Sequence, residues 1–283
     1  MINNHIKVEP IATSCGAEIH GVDLSQELDD ETLDEIKQAF RDHQVIFFRD
    51  QTLTEEQHMA FGQRFGTLNV HPRYVSLADN PEVFQIRKDP GTTKVVGGIW
   101  HQDLTHLPEP PLGSILYALE TPPVGGDTLF ANQYMAYESL SDGMKQMLAG
   151  LRAVHDNRIQ SPKIAQAKNA DMTTKLRDDA DEAEEPESVH PVVITHPETG
   201  LKALYVNIGR SHRFADMTEE ESRPLLDYLI EHSHKPEFTC RFRWRDGSVA
   251  FWDNRCLLHR ALNDYPNHKR YMNRVTVNGA RPV

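Results

Sequence analysis

The middle of the chain contains the run Gly97-Gly98-Ile99-Trp100-His101-Gln102-Asp103-Leu104-Thr105. On a β-strand, side chains two positions apart point to the same face. If the run is a strand, His101 and Asp103 project together and Gln102 points away. An imidazole beside a carboxylate offers two adjacent ligands for a divalent metal ion. The run therefore predicts part of a metal site, although an isolated His-x-Asp triplet is more often a surface pair or a structural histidine.

A third ligand has to come from another part of the chain. The run Leu257-Leu258-His259-Arg260 follows a predicted strand and supplies His259. Two histidines and one carboxylate on one face of a metal leave three positions open, which is the arrangement of non-haem Fe(II) oxygenases. His101, Asp103 and His259 are therefore the candidate ligands.

The composition is that of a globular protein with an acidic balance. The 283 residues include 30 basic and 42 acidic side chains, which gives a net charge of −12 with neutral histidines. This length allows one large domain or two small ones. Nucleic acid is disfavoured as a partner, because binding to phosphates depends on clustered lysine and arginine. A small anion held by a few buried arginines remains compatible with this charge.

The sequence also predicts where the protein works. No run approaches the roughly 20 apolar residues that a membrane span requires. The first residues lack the basic and apolar segments of a secretory signal. Cys15, Cys240 and Cys256 are too scattered for a disulfide framework or a CxxC metal site. We therefore expect a cytoplasmic protein without a membrane partner.

Hydrophobic periodicity divides the chain into helices and short strands. Helices are predicted over residues 29–43, from the capping box at Thr54, from Ser141 and from the capping box at Thr218. Strands are predicted at 45–48, 83–87, 114–119, 128–131, 203–207, 238–243, 249–252 and 271–277. Short strands separated by Gly/Pro turns are typical of an antiparallel sandwich or barrel. The predicted class is mixed β with flanking helices.

One segment differs in composition from the rest. Residues 178–187 form a dense acidic run with almost no large apolar side chain. Such a run indicates a solvated loop. Long loops inside compact domains are also often functional. We therefore expect a single domain over 1–283 with a mobile lid inserted at 161–188.

The motifs resemble those of one enzyme family. The chain is similar to the taurine dioxygenase/2,4-D dioxygenase family of Fe(II)- and 2-oxoglutarate-dependent oxygenases, and the resemblance covers nearly the whole sequence. The motifs that carry it are Trp100-His101-Gln102-Asp103, Gly125-Gly126-Asp127-Thr128 and Trp252-Asp253-Asn254-Arg255-Cys256-Leu257-Leu258-His259-Arg260, followed by Arg270 and Arg274. The resemblance implies a double-stranded β-helix, or jelly roll, buttressed by helices.

The resemblance also implies roles for individual residues. His101, Asp103 and His259 would hold Fe(II), and the open positions would receive 2-oxoglutarate and O2. Arg270 and Thr128 would bind the far carboxylate of 2-oxoglutarate.

The remaining matches concern the substrate, which the resemblance predicts to be a small organic anion: a sulfonate, a sulfate ester or an aryloxyalkanoate. Arg274, His71 and Tyr74 match residues that line the substrate pocket in the taurine enzymes. Arg210 stands where those enzymes have an aromatic residue, and it would add a second cation. The asparagine that contacts the amine of taurine is missing near Gly97, so taurine itself is disfavoured.

Two other functions remain open at this point. A metal enzyme of another class on a jelly-roll scaffold would need no 2-oxoglutarate, and Arg270 and Thr128 would then have no role. A non-catalytic anion-binding protein would keep its ligand affinity after His101→Ala. The resemblance further implies a homo-oligomer, a dimer or a tetramer.

Overall fold

The structure is a computed structural model that describes residues 5–71, 74–157 and 187–283. In chain order the described strands are β1 (Lys7–Pro10), β2 (Ala17–His20), β3 (Val45–Phe48), β4 (Phe84–Lys88), β5 (Gly113–Glu120), β6 (Thr128–Asn132), β7 (Arg152–His155), β8 (Ser188–Pro191), β9 (Val193–Thr195), β10 (Lys202–Leu204), β11 (Ser211–Phe214), β12 (Thr239–Phe242), β13 (Val249–Asp253), β14 (Leu257–Ala261) and β15 (Arg270–Val277). The described helices are α1 (Asp30–His43), α2 (Glu55–Gln63), α3 (Gln133–Glu138), α4 (Asp142–Leu148) and α5 (Glu219–His232), and Pro236–Phe238 is a 3-10 turn. The predicted lid at 161–188 lies outside the described residues except for its last two.

The predicted helix starts agree with the structure, because the capping side chains make the expected bonds. Thr54 and Thr218 both form complete capping boxes, and the Ser141 side chain accepts from the backbone of Met144. The third predicted helix is shorter than its apolar pattern suggested. It ends at Leu148, before Gly150 adopts a left-handed φ of 84°. The short helix α3 was not predicted.

A seven-stranded sheet in the order β1-β2-β3-β13-β5-β15-β4 forms the centre of the fold. Its inner strands are apolar on both faces, since side chains alternate along a strand. Val45 and Phe47 of β3 face one core cluster, whereas Ile46 and Phe48 face another. The second cluster also contains Phe40 of α1, so α1 and α2 cover one face of this sheet.

A three-stranded sheet, β12-β6-β14, covers the opposite face. Phe130 of β6 and Phe242 of β12 share a core cluster with Phe47 and Trp252 of the large sheet. The rings of Phe47 and Phe242 stack with centroids 3.9 Å apart. The mixed β class with flanking helices is therefore confirmed, and β14 brings His259 to the space between the two sheets.

A smaller layer contains five of the described strands, of which the sequence predicted β10 alone; the strand predicted at 203–207 ends already at Leu204. Strands β11, β7 and β8 form a three-stranded sheet, and β9 pairs with β10. Their apolar residues pack with α3, α4 and α5 around Leu148, Phe214 and Leu229. These strands have three or four residues each, too few for an alternating pattern to be recognised. No helix in the described ranges is long and apolar enough to cross a membrane.

The buried histidine of α2 makes stability depend on pH. His58 lies with Nε2 3.2 Å from the carbonyl oxygen of Ile115. Burial lowers the pKa of His58 from 6.5 to about 4, against the opposing effect of that hydrogen bond. Between these two values the unfolded chain binds a proton that the folded chain does not. Stability therefore falls as the pH is lowered through this window, and we expect a loss of about 2 kcal/mol from His58 between pH 7 and pH 5.

Urea unfolding of wild type and of His58→Gln at these two pH values measures this contribution. The glutamine amide can still donate to Ile115 but takes up no proton. We expect the wild type to lose about 2 kcal/mol more than the variant. Equal losses in both proteins would show that His58 does not titrate in this way.

Candidate functional site

The three side chains predicted to bind a metal converge on one point. The Nε2 atoms of His101 and His259 each lie 3.7 Å from Oδ1 of Asp103. One ligand atom from each residue lies within 4.8 Å of the other two. Among the residues that the structure describes, no fourth His, Cys, Asp or Glu joins this group. The donor set is therefore incomplete for an octahedral ion, as an oxygenase requires.

The backbone places the two imidazoles side by side. His101 and His259 exchange both hydrogen bonds of an isolated antiparallel bridge, at 3.1 and 2.9 Å, and their ring centroids lie 4.1 Å apart. The predicted strand through the His-x-Asp run is wrong beyond this bridge. Asp103 already lies in a turn, and Leu104 has a left-handed φ of 49°. Asp103 thus reaches the histidines through a turn and not through strand alternation.

Local contacts fix the orientation of the His101 ring. Nδ1 lies 2.7 Å from the carbonyl oxygen of Ile99, so Nδ1 carries the proton and Nε2 keeps its lone pair toward Asp103. Gly97 packs against the ring, where an added Cβ would lie 3.1 Å from Cε1 of His101. Its φ of 77° also favours glycine.

The protonation states of the three side chains suit a cation. Burial alone would raise the pKa of Asp103, but the charge of Arg274 and the two neighbouring imidazoles outweigh it and hold that pKa far below its ordinary value. Burial lowers the pKa of both His101 and His259. The site therefore presents two neutral imidazoles and one carboxylate, the forms in which these residues bind metals.

Arg274 lies against Asp103 itself. Its Nη2 donates to Oδ2 of Asp103 and, at 2.6 Å, to the Ser114 hydroxyl. The guanidinium carbon lies 5.4 Å from the ring centroid of Phe84 and 5.2 Å from that of Trp252. Its buried Nε has no hydrogen-bond partner among the described residues. Arg274 therefore holds the predicted metal ligand Asp103, a contact that the sequence did not indicate. Its Nε–H remains available to a further acceptor.

Arg270 is buried near Thr128, and two of its donor nitrogens have no acceptor among the described residues. It is 3 % exposed, and its Nε and Nη2 have no partner within the described part of the chain. Burial lowers the pKa of this guanidinium, and the nearby Tyr265 and Asp127 oppose the change only in part. A buried cation without a counter-charge is costly. An anion with two acceptor oxygens fits these donors.

Trp244 links Arg270 to Thr128. The guanidinium carbon of Arg270 lies 5.6 Å from the Trp244 ring centroid, and the indole N–H of Trp244 donates to Oγ1 of Thr128 at 2.9 Å. Because the threonine oxygen accepts this bond, its own hydrogen can point to another acceptor. Sequence reasoning predicted Arg270 and Thr128 together but missed Trp244, for which the sequence gives no signal.

The predicted pocket residues His71 and Tyr74 lie on the side of Arg274. Their rings are 4.7 Å apart at the centroids, and both contact Phe84, which in turn lies against Arg274. Both residues are partly buried. The structure thus connects them to Arg274 through one aromatic ring.

Arg210 lies near His101. It is 7 % exposed, and its charge adds to burial and to Arg274 in lowering the pKa of His101. The preceding Gly209 packs against His101, because an added Cβ would lie 3.7 Å from the Cβ of His101. The structure therefore places Arg210 beside the candidate metal site, as a substrate-binding cation would need.

Ser114 is a contributor that sequence reasoning missed. Its hydroxyl lies 3.2 Å from Oδ2 of Asp103 and accepts from Arg274. In the sequence Ser114 was visible only as a single polar residue at the start of the apolar strand predicted at 114–119. Nothing in the sequence alone connects that serine to Asp103.

A second group of possible ligands does not suit a metal. His196, Asp253 and Cys256 are close together and buried. Nδ1 of His196 accepts two backbone N–H groups, from Glu198 and the next residue, so Nε2 carries the proton and donates to Asp253 at 3.0 Å. Arg255 occupies both oxygens of Asp253. This group therefore fixes the loop after β13.

The chain is similar to known proteins over nearly its whole length. The taurine catabolism dioxygenase TauD, TfdA family matches residues 7–276. An alkylsulfatase of Acinetobacter baylyi is 34 % identical over 97 % of this chain and 85 % of its own, and an (S)-phenoxypropionate/alpha-ketoglutarate-dioxygenase of Sphingobium herbicidovorans is 33 % identical over 94 % and 92 %. The crystal structure of a putative alpha-ketoglutarate-dependent taurine dioxygenase from Burkholderia xenovorans superposes with a TM-score of 0.83 at 38 % identity, and covers 98 % of this chain and 94 % of that one. The chain belongs to the taurine catabolism dioxygenase TauD, TfdA family.

Proposed function

We propose that this protein is an Fe(II)- and 2-oxoglutarate-dependent dioxygenase that hydroxylates a small organic anion. One observation carries the proposal: His101, Asp103 and His259 offer two neutral imidazoles and a carboxylate to one point, with no fourth ligand among the described residues. That donor set suits Fe(II) and leaves coordination positions for other molecules. Membership of the family supports the same activity.

Bound at this site, the metal and 2-oxoglutarate would supply the oxidation, in which O2, 2-oxoglutarate and a substrate C–H bond give succinate, CO2 and a C–OH group. The residues of the chain hold the reactants in place. Arg270 receives the far carboxylate of 2-oxoglutarate on its two unpartnered N–H donors, and the Thr128 hydroxyl donates to the same group. Trp244 orients that hydroxyl.

The substrate anion would meet the cations that lie next to the metal ligands. Arg274 has an unpartnered Nε–H beside Asp103, and Arg210 is buried near His101. His71 and Tyr74 contact Phe84 and would line the same part of the pocket. A sulfonate, a sulfate ester or an aryloxyalkanoate has the required charge.

Hydroxylation at the carbon that carries the sulfur or oxygen substituent would make the product unstable. It would then break down to a carbonyl compound and sulfite, sulfate or a phenol. Taurine is a poor candidate because Val95, Val96, Gly97 and Gly98 provide no side chain for its amine.

The fold and the oligomeric state follow from the family resemblance, and the location follows from the scattered cysteines. The large sheet and the β12-β6-β14 sheet, which share one core, would close as a double-stranded β-helix in a single domain. The enzyme would work in the cytoplasm as a dimer or tetramer.

Succinate release tests the proposed reaction. The protein is incubated with Fe(II), 2-oxoglutarate and O2 and a panel of sulfonates, alkyl sulfates and phenoxyalkanoates. We expect at least one compound to raise succinate release well above the rate without substrate, with one carbonyl product per succinate. If none does so while 2-oxoglutarate still binds, the substrate class is wrong. If 2-oxoglutarate does not bind, a metal enzyme of another class is favoured.

A further inference from the structure

The peptide groups on both sides of Asp103 are held by one side chain, that of Asn254. Its Oδ1 accepts from the Asp103 N–H at 2.6 Å, and its Nδ2 donates to the Asp103 carbonyl at 2.9 Å. The same Nδ2 lies 3.2 Å from the carbonyl oxygen of Pro111. Asn254 is fully buried, so these bonds are shielded from water. The asparagine thus hydrogen-bonds both backbone groups of a candidate metal ligand.

The position of Asp103 depends on these two hydrogen bonds because its own backbone is irregular. The antiparallel bridge ends at His101, Asp103 lies in a turn, and Leu104 is left-handed. A turn residue has no ladder of backbone bonds to hold it. Within the described ranges, the hydrogen bonds to the Asp103 N–H and C=O come from Asn254. Without them the carboxylate could turn away from the two imidazoles.

Asn254 is itself rigidly placed. Its backbone N–H donates to the Leu112 carbonyl at 2.8 Å. Its neighbours Asp253 and Arg255 pair with each other and, through Asp253, with His196. The same β13–β14 connection leads five residues later to His259. The connection from the large sheet to the β12-β6-β14 sheet therefore leads to one candidate ligand and holds the backbone of another.

We infer that Asn254 is a positioning residue that sets the geometry of Asp103 relative to His259 for metal binding. This inference rests on the proposed function, because it assumes that the three side chains hold one ion. Side chains that orient ligands from outside the coordination shell typically change metal affinity about 10–100-fold when they are lost. Arg274 and Ser114 hold the carboxylate of Asp103, and Asn254 holds its backbone.

The test measures metal affinity directly. Full-length wild type, Asn254→Ala and the nearly isosteric Asn254→Leu are titrated with Mn(II) under anaerobic conditions, with free Mn(II) followed by electron paramagnetic resonance. Asn132→Ala is the matched control. Asn132 is also buried and holds the carbonyl of Ser14 and two backbone N–H groups of α3, but does not contact Asp103.

We expect the dissociation constant for Mn(II) to rise at least about tenfold in both Asn254 variants and to stay within twofold of wild type in Asn132→Ala, whatever the thermal stability of each protein. An unchanged constant in a folded Asn254 variant overturns the inference. Equal weakening in Asn132→Ala also overturns it, because the effect would then be general destabilisation. If the wild type itself binds no Mn(II), the proposed function fails instead.

Discussion

Replacement of His259 by alanine is expected to weaken binding of a divalent metal by about a thousandfold, about 4 kcal/mol, and to abolish succinate formation. The variant keeps His101 and Asp103, but two ligands hold an ion far less tightly than three. The rest of β14 is undisturbed, because Leu257 and Leu258 keep their core contacts. Titration with Mn(II) or Co(II) and an assay of 2-oxoglutarate turnover measure the two effects.

His196→Ala is the matched control for this experiment. His196 is equally buried and also pairs with an aspartate, but its ring nitrogens are both occupied. We expect it to lose stability and keep its metal affinity. If His259→Ala bound the metal tightly and His196→Ala did not, the ion would lie at His196, Asp253 and Cys256. That result would contradict the proposed metal site.

Replacement of Arg270 by methionine is expected to raise the dissociation constant for 2-oxoglutarate about 100-fold or more and to leave metal affinity nearly unchanged. Removing one partner of a buried charged pair costs about 2–5 kcal/mol. Methionine fills most of the space of the arginine stem but donates no hydrogen bond. Isothermal titration of the Mn(II)-loaded protein with 2-oxoglutarate measures the effect.

Two further variants define the cause. Arg270→Lys keeps the charge but loses the two-pronged donor geometry, so we expect it to restore only part of the affinity. Arg223→Met removes an exposed arginine on α5 and is expected to change nothing. If Arg270→Met binds 2-oxoglutarate as well as wild type does, this arginine is not the carboxylate site, and the assignment of Thr128 fails with it.

Much of the fold could be predicted because the decisive side chains act locally or at a regular period. The capping boxes at Thr54 and Thr218 satisfy backbone donors three residues away, so their meaning is contained in four consecutive residues. The strand Val45–Phe48 is apolar at every position, which fits a strand with a core on each face. Strands β7, β8 and β11 are just as short, but polar residues interrupt them, so they offer no continuous apolar run.

The site was predicted as a set of residues, but its internal contacts were not. His101, Asp103 and His259 meet as expected, yet Asp103 does so from a turn that no alternation rule describes. Arg274 was expected to face the substrate, and the structure places it on Asp103 together with Ser114. The two contacts of Arg274 join residues 171 and 160 positions apart. Contacts of that kind depend on the tertiary structure, and the order of residues along the chain does not reveal them.

A crystal structure of the protein with Mn(II) and N-oxalylglycine, an unreactive analogue of 2-oxoglutarate, tests the central claim most directly. We predict one metal ion bound by His101, Asp103 and His259, with the analogue completing its coordination and its far carboxylate on Arg270 and Thr128. An ion closed off by a fourth protein ligand would contradict this account. So would an ion that lies elsewhere while the three side chains stay apart.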